Sequence, residues 1–139
     1  MRKTLIIIAT IMITGNMNTQ AQNPDFLFMV EHAVKAPSGH NMQPWLFRLN
    51  ESSIDILPNH ERALPVVDFD NRELFISLGC ALENLCISAL EKGYKYEVKI
   101  ADTGVISVRL SRSDSASCSP LFRQIPHYEI GRASCRERV

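Results

Sequence analysis

Apolar residues recur at helical spacing in two stretches of the chain and alternate with polar residues in four shorter ones. The first helix is predicted to begin at Asn23 or Pro24 and to end before Pro37, because the residue preceding a proline disfavours helical backbone. The second helix spans residues 71–92 and is apolar around most of its circumference, which is typical of a central buried helix. Gly93 then closes it as a C-cap.

The alternating stretches predict strands at residues 45–49, 54–57, 94–100 and 105–110. The first two flank a polar turn and the last two flank Thr103-Gly104, so each pair is predicted to form a hairpin. Between the hairpins, Asp68 or Asp70 can cap the long helix. Residues 120–125 predict the first turn of a further helix. A length of 139 residues favours one domain.

The long helix contains a glycine and two cysteines. Gly79 costs about 1 kcal/mol relative to alanine in a helix interior, which favours close approach of another backbone or of a flat ligand. Tight helix packing is an equally good explanation. Cys80 and Cys86 lie on different faces of the helix and therefore cannot bridge each other, so we expect free thiols that pack as small hydrophobic groups. No Cys/His spacing resembles a zinc site, and we expect no metal.

The polar loop 36–45, which reads Ala-Pro-Ser-Gly-His-Asn-Met-Gln-Pro-Trp, carries the candidate chemistry. Gly39 is expected to free the backbone there. The neighbouring polar side chains are Ser38, His40, Asn41 and Gln43. They offer hydrogen-bond donors and acceptors but no strong acid or nucleophile. Such a set suits a bound cofactor that performs the chemistry itself. His40 can add positive charge toward a phosphate when protonated. We expect Trp45 to be a core anchor beside the site.

The N-terminus has the pattern of a secretory signal peptide over residues 1–21. Arg2 and Lys3 are followed by an uncharged apolar run at 5–13, and cleavage is predicted after Ala21. That run is far shorter than the ~20 residues a membrane-spanning helix needs, so we expect no membrane anchor. The mature protein is therefore expected to be exported, to the bacterial periplasm.

The C-terminal residues 129–139 are expected to be artificial. Residues 130–139 can be written in codons that resemble a common sequencing-library adaptor, so we expect the natural gene to continue past Tyr128. Formal net charge is zero for the whole chain. Without its two ends the remainder is mildly acidic, which disfavours a nucleic-acid partner.

The loop 36–45 resembles the flavin-binding loop of nitroreductase-like flavoproteins, whose pattern is roughly A-P-S-x-x-N-x-Q-P-W. Residues 62–68 and 72–85 resemble the Acg-type branch of that family, whose members contain two such lobes. The resemblance covers about residues 25–127. Residues 22–128 are accordingly interpreted as an N-terminal nitroreductase-like lobe of a truncated protein.

The resemblance implies an α+β fold with helices around a mixed sheet, incomplete because the chain is truncated. It also implies FMN held between this lobe and a second lobe or homodimer partner. The flavin would be lined by Pro37, Ser38, Gly39, Asn41 and Gln43, with His40 at a variable position among them. Lys35 and His32 are the only cationic residues between Gln22 and Pro37, so we expect the phosphate anchor elsewhere.

Together these features predict an exported FMN-dependent oxidoreductase of nitroreductase type. Hydride would pass from NAD(P)H through the flavin to a small nitroaromatic or quinone-like acceptor. One alternative is a flavin-binding or flavin-sequestering protein with little catalysis, because nicotinamide donors are scarce outside the cytoplasm. Another is a non-catalytic interaction domain with the loop as a plain connector. We expect the 139-residue fragment alone to be inactive.

Overall fold

The computed structural model describes residues 23–114 and 119–127. Within these ranges the chain forms helices α1 (Pro24–Ala33) and α2 (Arg72–Glu91), strands β1 (Trp45–Leu49), β2 (Ser53–Pro58), β3 (Tyr94–Ile100) and β4 (Ile106–Arg112), and short 3₁₀ segments at Gly39–Asn41, His60–Arg62 and Pro120–His127. The predicted signal peptide (1–21), the predicted artificial tail (129–139) and Cys118 lie outside the described residues.

The four strands form one sheet in the order β1-β2-β4-β3, and every neighbouring pair is antiparallel. Each predicted hairpin is present, and the hairpins join through β2 and β4, where Ile54 lies opposite Val108. The predicted α+β class is confirmed. The predicted mixed sheet is wrong for the described strands, because both hairpins and the pairing that joins them run antiparallel.

The core lies between the sheet and the two helices, which pack against each other. Helix α1 also contacts the sheet directly, because the ring of Phe26 meets that of Tyr94 in β3. Alternate residues of the strands point toward this core, as in β1, where Trp45 and Phe47 are buried and Arg48 is exposed. The largest fully buried side chains are Trp45, Phe47, Met29, Ile54, Ile56, Leu78, Leu85, Val30 and Val108. Both helices therefore contact the sheet, and α2 packs against both α1 and the sheet.

Helix α2 is buried on all sides only in its second half. Leu85 to Ala89 are five consecutive buried residues, whereas Phe75 and Ile76 in the first half are 43% and 55% exposed. The prediction of a central buried helix is thus wrong for the first half, where one face has no cover among the described residues. The helix is long and apolar enough to cross a membrane, but half of that stretch is buried in the protein core, as in a soluble core helix.

The start of α2 is capped from a distance by Asp68, one of the two predicted caps. Its carboxylate oxygens accept hydrogen bonds from the amides of Glu73 and Leu74, both at 2.9 Å. Asn71 directly precedes the helix in left-handed conformation and makes no capping bond through its side chain. Burial by itself raises the pKa of Asp68, but the hydrogen bonds that its carboxylate accepts from the Glu73 and Leu74 amides, with smaller contributions from Asp70 and Arg72, bring the pKa below its ordinary value of 3.8.

We expect Asp68→Asn to lower the melting temperature by about 4–8 °C at neutral pH, because the side-chain amide keeps one acceptor oxygen and leaves one of the two bonded amides, Glu73 or Leu74, without a partner. Since the folded-state pKa is depressed, the stabilisation is complete above the ordinary pKa and is lost as pH falls through the folded value. Thermal unfolding followed by circular dichroism at pH 7 and near pH 3 measures this.

The matched control is Asp70→Asn, because Asp70 is exposed and accepts one longer hydrogen bond, 3.3 Å from the Arg72 amide. It should change the melting temperature much less. A difference between wild type and Asp68→Asn that stays constant down to pH 3 would contradict the capping role of the charged carboxylate.

Candidate functional site

Loop 36–45 is anchored at both ends in the hydrophobic core. Ala36 and Trp45 are each 1% exposed, and the Ala36 amide donates to the Ala33 carbonyl at 3.1 Å. Trp45 is the first residue of β1 and belongs to the main hydrophobic cluster. The prediction that Trp45 is a core anchor is confirmed. Residues 37–44 therefore connect two points that are both fixed in the core.

Three hydrogen bonds that involve side chains hold the middle of the loop, through Ser77, Ser38 and Arg62. The Ser77 hydroxyl on α2 accepts from the Gly39 amide at 3.2 Å and donates to the Glu73 carbonyl at 2.7 Å. Within the loop, the Ser38 hydroxyl accepts from the Gln43 amide at 2.9 Å. From the other side, Arg62 donates to the Met42 carbonyl at 3.3 Å. The loop is thus attached to α2 and to the 3₁₀ segment at His60–Arg62.

The backbone of the loop is left-handed at three residues that carry side chains. His40, Asn41 and Gln43 have φ of 48°, 56° and 51°. Asparagine and histidine adopt this conformation more readily than most residues, glutamine adopts it at some cost, and only glycine adopts it freely. Gly39 is not among the residues with positive φ, so its expected role in freeing the backbone is wrong. A Cβ at Gly39 would instead lie 2.7 Å from Glu73 Oε2, so the glycine lets the carboxylate approach the loop.

We expect His40→Val to lower the free energy of unfolding by about 1–2 kcal/mol, because a β-branched residue fits left-handed backbone poorly. His40→Gly should stay within about 0.5 kcal/mol of wild type, since relief of strain offsets the larger entropy of the unfolded chain. His40 is exposed, so neither change removes core packing. Urea denaturation measures both, and equal effects of the two substitutions would show that the left-handed backbone is not strained.

A cleft of about 290 Å³ opens where the loop meets α2. Its lining consists of Pro37, Ser38, Gly39, Glu73, Ile76, Ser77 and Cys80. The lining combines small polar groups with an apolar helix surface, which is the usual character of a small-molecule site. Its volume is at the lower end of the range for such sites, so it accommodates part of a cofactor-sized ligand.

Gly79 lies on α2 next to this cleft, between Ile76 and Cys80 in the sequence. It is exposed, and no atom lies within 4 Å of the position that a Cβ would occupy. The tight helix packing considered from the sequence is therefore not found at Gly79 within the described residues. The alternative, close approach of another backbone or of a flat ligand, stays a prediction.

The structure brings together three of the six predicted cofactor-binding residues. Pro37, Ser38 and Gly39 line the cleft. His40 and Asn41 are exposed in the turn beyond it, and Gln43 is half-buried with its amide held by Ser38. None of these last three lines the cleft. Whether any of the six binds a cofactor stays a prediction.

Residues of α2 supply the other wall of the cleft, and the sequence analysis did not assign them to the site. Ser77 is buried within an otherwise apolar helix face, and that isolated polar position was the available signal. Glu73 lies one helical turn earlier, in the first turn of α2, where an acidic residue is common in any helix and gives no signal of a site. Only the tertiary contact with Gly39 shows that both face the loop.

The two described cysteines are both free, as predicted, but they differ in environment. Cys80 is half-buried and lines the cleft. Cys86 lies in the buried half of α2, where burial and, to a smaller extent, the charge of Glu83 raise the pKa of its thiol to about 12. Cys86 is consequently an unreactive packing residue.

Negative charge is present at the cleft and positive charge is not. Glu73 is the one ionisable carboxylate in the lining, and the lining contains no lysine, arginine or histidine. Arg62 lines a smaller neighbouring cavity that shares Gly39 and Glu73 with the cleft. Among the described residues, no cationic group forms an ion pair with Glu73 within 4.0 Å.

Comparison with known proteins adds a partial likeness. No protein-family model matches the chain. A Mycobacterium tuberculosis protein named as a candidate NAD(P)H nitroreductase is 36% identical to it over 66 residues, which are 48% of this chain and 19% of that protein. An uncharacterized protein of the same species is 35% identical over 60 residues, which are 40% of this chain and 17% of that protein. The matched segment spans about a fifth of the length of these curated relatives. Over about half of its own length, the chain is similar to a protein named as a candidate nitroreductase.

Proposed function

We propose that this chain is the flavin-binding lobe of an exported FMN-dependent oxidoreductase of nitroreductase type. The observation that carries the proposal is the cleft in which Ser38 and Gly39 of the loop face the first half of α2. The likeness to a protein named as an NAD(P)H nitroreductase supports the same class of reaction. Export rests on the signal-peptide pattern of residues 1–21.

The residues present fit a flavin in chemistry and in size. A flavin has a flat apolar ring with polar edges, and the cleft offers the Ile76 side chain together with the Ser38 hydroxyl and loop backbone groups. At about 290 Å³ the cleft holds part of such a molecule. The remaining wall and the phosphate anchor would come from a second lobe or a second copy of the chain.

The protein groups at this site bind and orient, and the bound flavin supplies the redox chemistry by accepting hydride and passing electrons onward. Ser38 keeps the loop closed through its bond to the Gln43 amide, and Ser77 holds the loop against α2. Ile76 and Pro37 supply apolar surface to the lining of the cleft. No residue of the cleft is assigned as a general acid or base.

Flavin sequestration without turnover is the second candidate function. It is favoured by the same signal-peptide pattern, because exported proteins meet little NAD(P)H. Both candidates require flavin binding, and they differ in what happens when a nicotinamide donor is added. A non-catalytic interaction domain requires neither.

The first experiment is a fluorescence titration of FMN with the purified 139-residue chain and with the product of the gene as cloned from the genome. Binding should quench flavin fluorescence and leave a yellow protein after gel filtration. Anaerobic addition of NADH or NADPH to the genomic product should then bleach the bound flavin. A colourless genomic product would contradict both flavin hypotheses, whereas bound flavin that no nicotinamide reduces would favour sequestration.

A further inference from the structure

The Glu73 carboxylate places a negative charge at the cleft, and the phosphate of the proposed cofactor is negatively charged too. Glu73 Oε2 lies against Gly39, within 2.7 Å of the position that a Cβ would take. The side chain lines both the main cleft and the smaller cavity beside it. A residue other than glycine at position 39 would push the carboxylate away, so loop and helix together place the negative charge at the cleft.

That charge is not neutralised within the described part of the chain. The described salt bridges join Lys99 to Glu97 and Arg112 to Asp25, and neither involves Glu73. The cleft lining itself contains no cationic side chain. Arg62 is the cation that shares a cavity wall with Glu73, and its guanidinium donates to the Met42 carbonyl.

The terminal phosphate of FMN carries a charge of about −1.5 to −2 near pH 7, as other phosphate monoesters do. A cleft of about 290 Å³ is small enough for a charge on its wall to act across it, because the Debye length is about 10 Å at 0.1 M salt. The isoalloxazine ring and ribityl chain are uncharged, and Glu73 can accept hydrogen bonds from their N–H and O–H groups.

We infer that Glu73 is a specificity-determining residue that makes the cleft select the uncharged part of a flavin and discriminate against its phosphate. The inference rests on the proposed flavin function. It predicts that this chain binds riboflavin at least as tightly as FMN. Removing the Glu73 charge strengthens FMN binding and leaves riboflavin binding nearly unchanged.

The test compares dissociation constants for FMN and riboflavin, measured by fluorescence quenching, in the full chain and two variants. Glu73→Gln removes the charge at the cleft and keeps the shape of the side chain. Glu83→Gln is the matched control, because Glu83 is an exposed residue of the same helix that does not line the cleft.

We expect Glu73→Gln to lower the ratio of the FMN to the riboflavin dissociation constant by about three- to tenfold. Glu83→Gln should leave that ratio unchanged. In the wild type, raising the salt to about 1 M, where the Debye length is about 3 Å, should weaken the discrimination against FMN.

The possible failures are distinguishable. If the wild type binds FMN more tightly than riboflavin, or if both glutamine variants give the same ratio, the inference about Glu73 is wrong while flavin binding stands. If neither flavin binds to the wild-type chain, the flavin-binding proposal for this chain fails, and the inference about Glu73 fails with it.

Discussion

Replacing Trp45 with alanine is expected to lower the free energy of unfolding by about 3–5 kcal/mol. Trp45 is 1% exposed, is the first residue of β1 and lies opposite Pro58 in the sheet. Its removal leaves a cavity in the main core at the point where the site loop ends. Because domains of this size are stable by only about 5–15 kcal/mol, this loss removes a large share of the total stability.

Urea denaturation followed by circular dichroism measures this loss, and flavin titration of the same sample shows its effect on the site. The control is Phe69→Ala, another aromatic truncation at a residue that is 85% exposed. It should change stability by no more than about 0.5 kcal/mol. A Trp45→Ala protein as stable as Phe69→Ala would show that the indole ring is not a core anchor.

Replacing Ser77 with alanine is expected to weaken FMN binding about tenfold, because the Gly39 amide then loses its hydrogen-bond acceptor on α2. The chain supplies a matched control in Ser88, a buried serine of the same helix. Each serine donates to the carbonyl four residues earlier at 2.7 Å, but among the described contacts only Ser77 also accepts a bond from the loop.

Ser88→Ala should therefore leave the FMN dissociation constant within about twofold, since it removes the same bond inside the helix and no loop contact. Ser77→Thr keeps the hydroxyl and should retain most of the affinity. Fluorescence titration gives the constants and circular dichroism confirms that all three variants fold. Equal weakening by Ser77→Ala and Ser88→Ala would mean that the hydroxyl affects the site only through helix stability.

The parts of this fold that depend on local rules could be predicted from the sequence. Strand β1 begins and ends where alternation places it, and Gly93, with φ of 74°, closes α2 as a left-handed C-cap residue. Asp68 caps α2 as one of two candidates. In each case residues within about six positions of one another decide the outcome.

The parts that depend on distant contacts could not be predicted. Gly39 and Ser77 are 38 positions apart, and no periodicity indicates that they meet. The joining of the two hairpins through β2 and β4 likewise depends on how α2 returns the chain across the sheet. Half of the cleft was therefore identifiable from the loop, whereas the half formed by Glu73, Ile76, Ser77 and Cys80 required the folded structure.

The uneven burial of α2 gives its two halves different tolerance of substitution. In the second half, Leu85 to Ala89 are all buried, so substitutions there are constrained by volume and shape and, at Ser88, by its hydrogen bond to the Asn84 carbonyl. In the first half, Phe75, Ile76 and Gly79 share a helix with the core while presenting their own side chains or backbone to the outside. Substitutions at these exposed positions can thus alter the surface without repacking the domain, so that one helix combines a fixed scaffold with a variable surface.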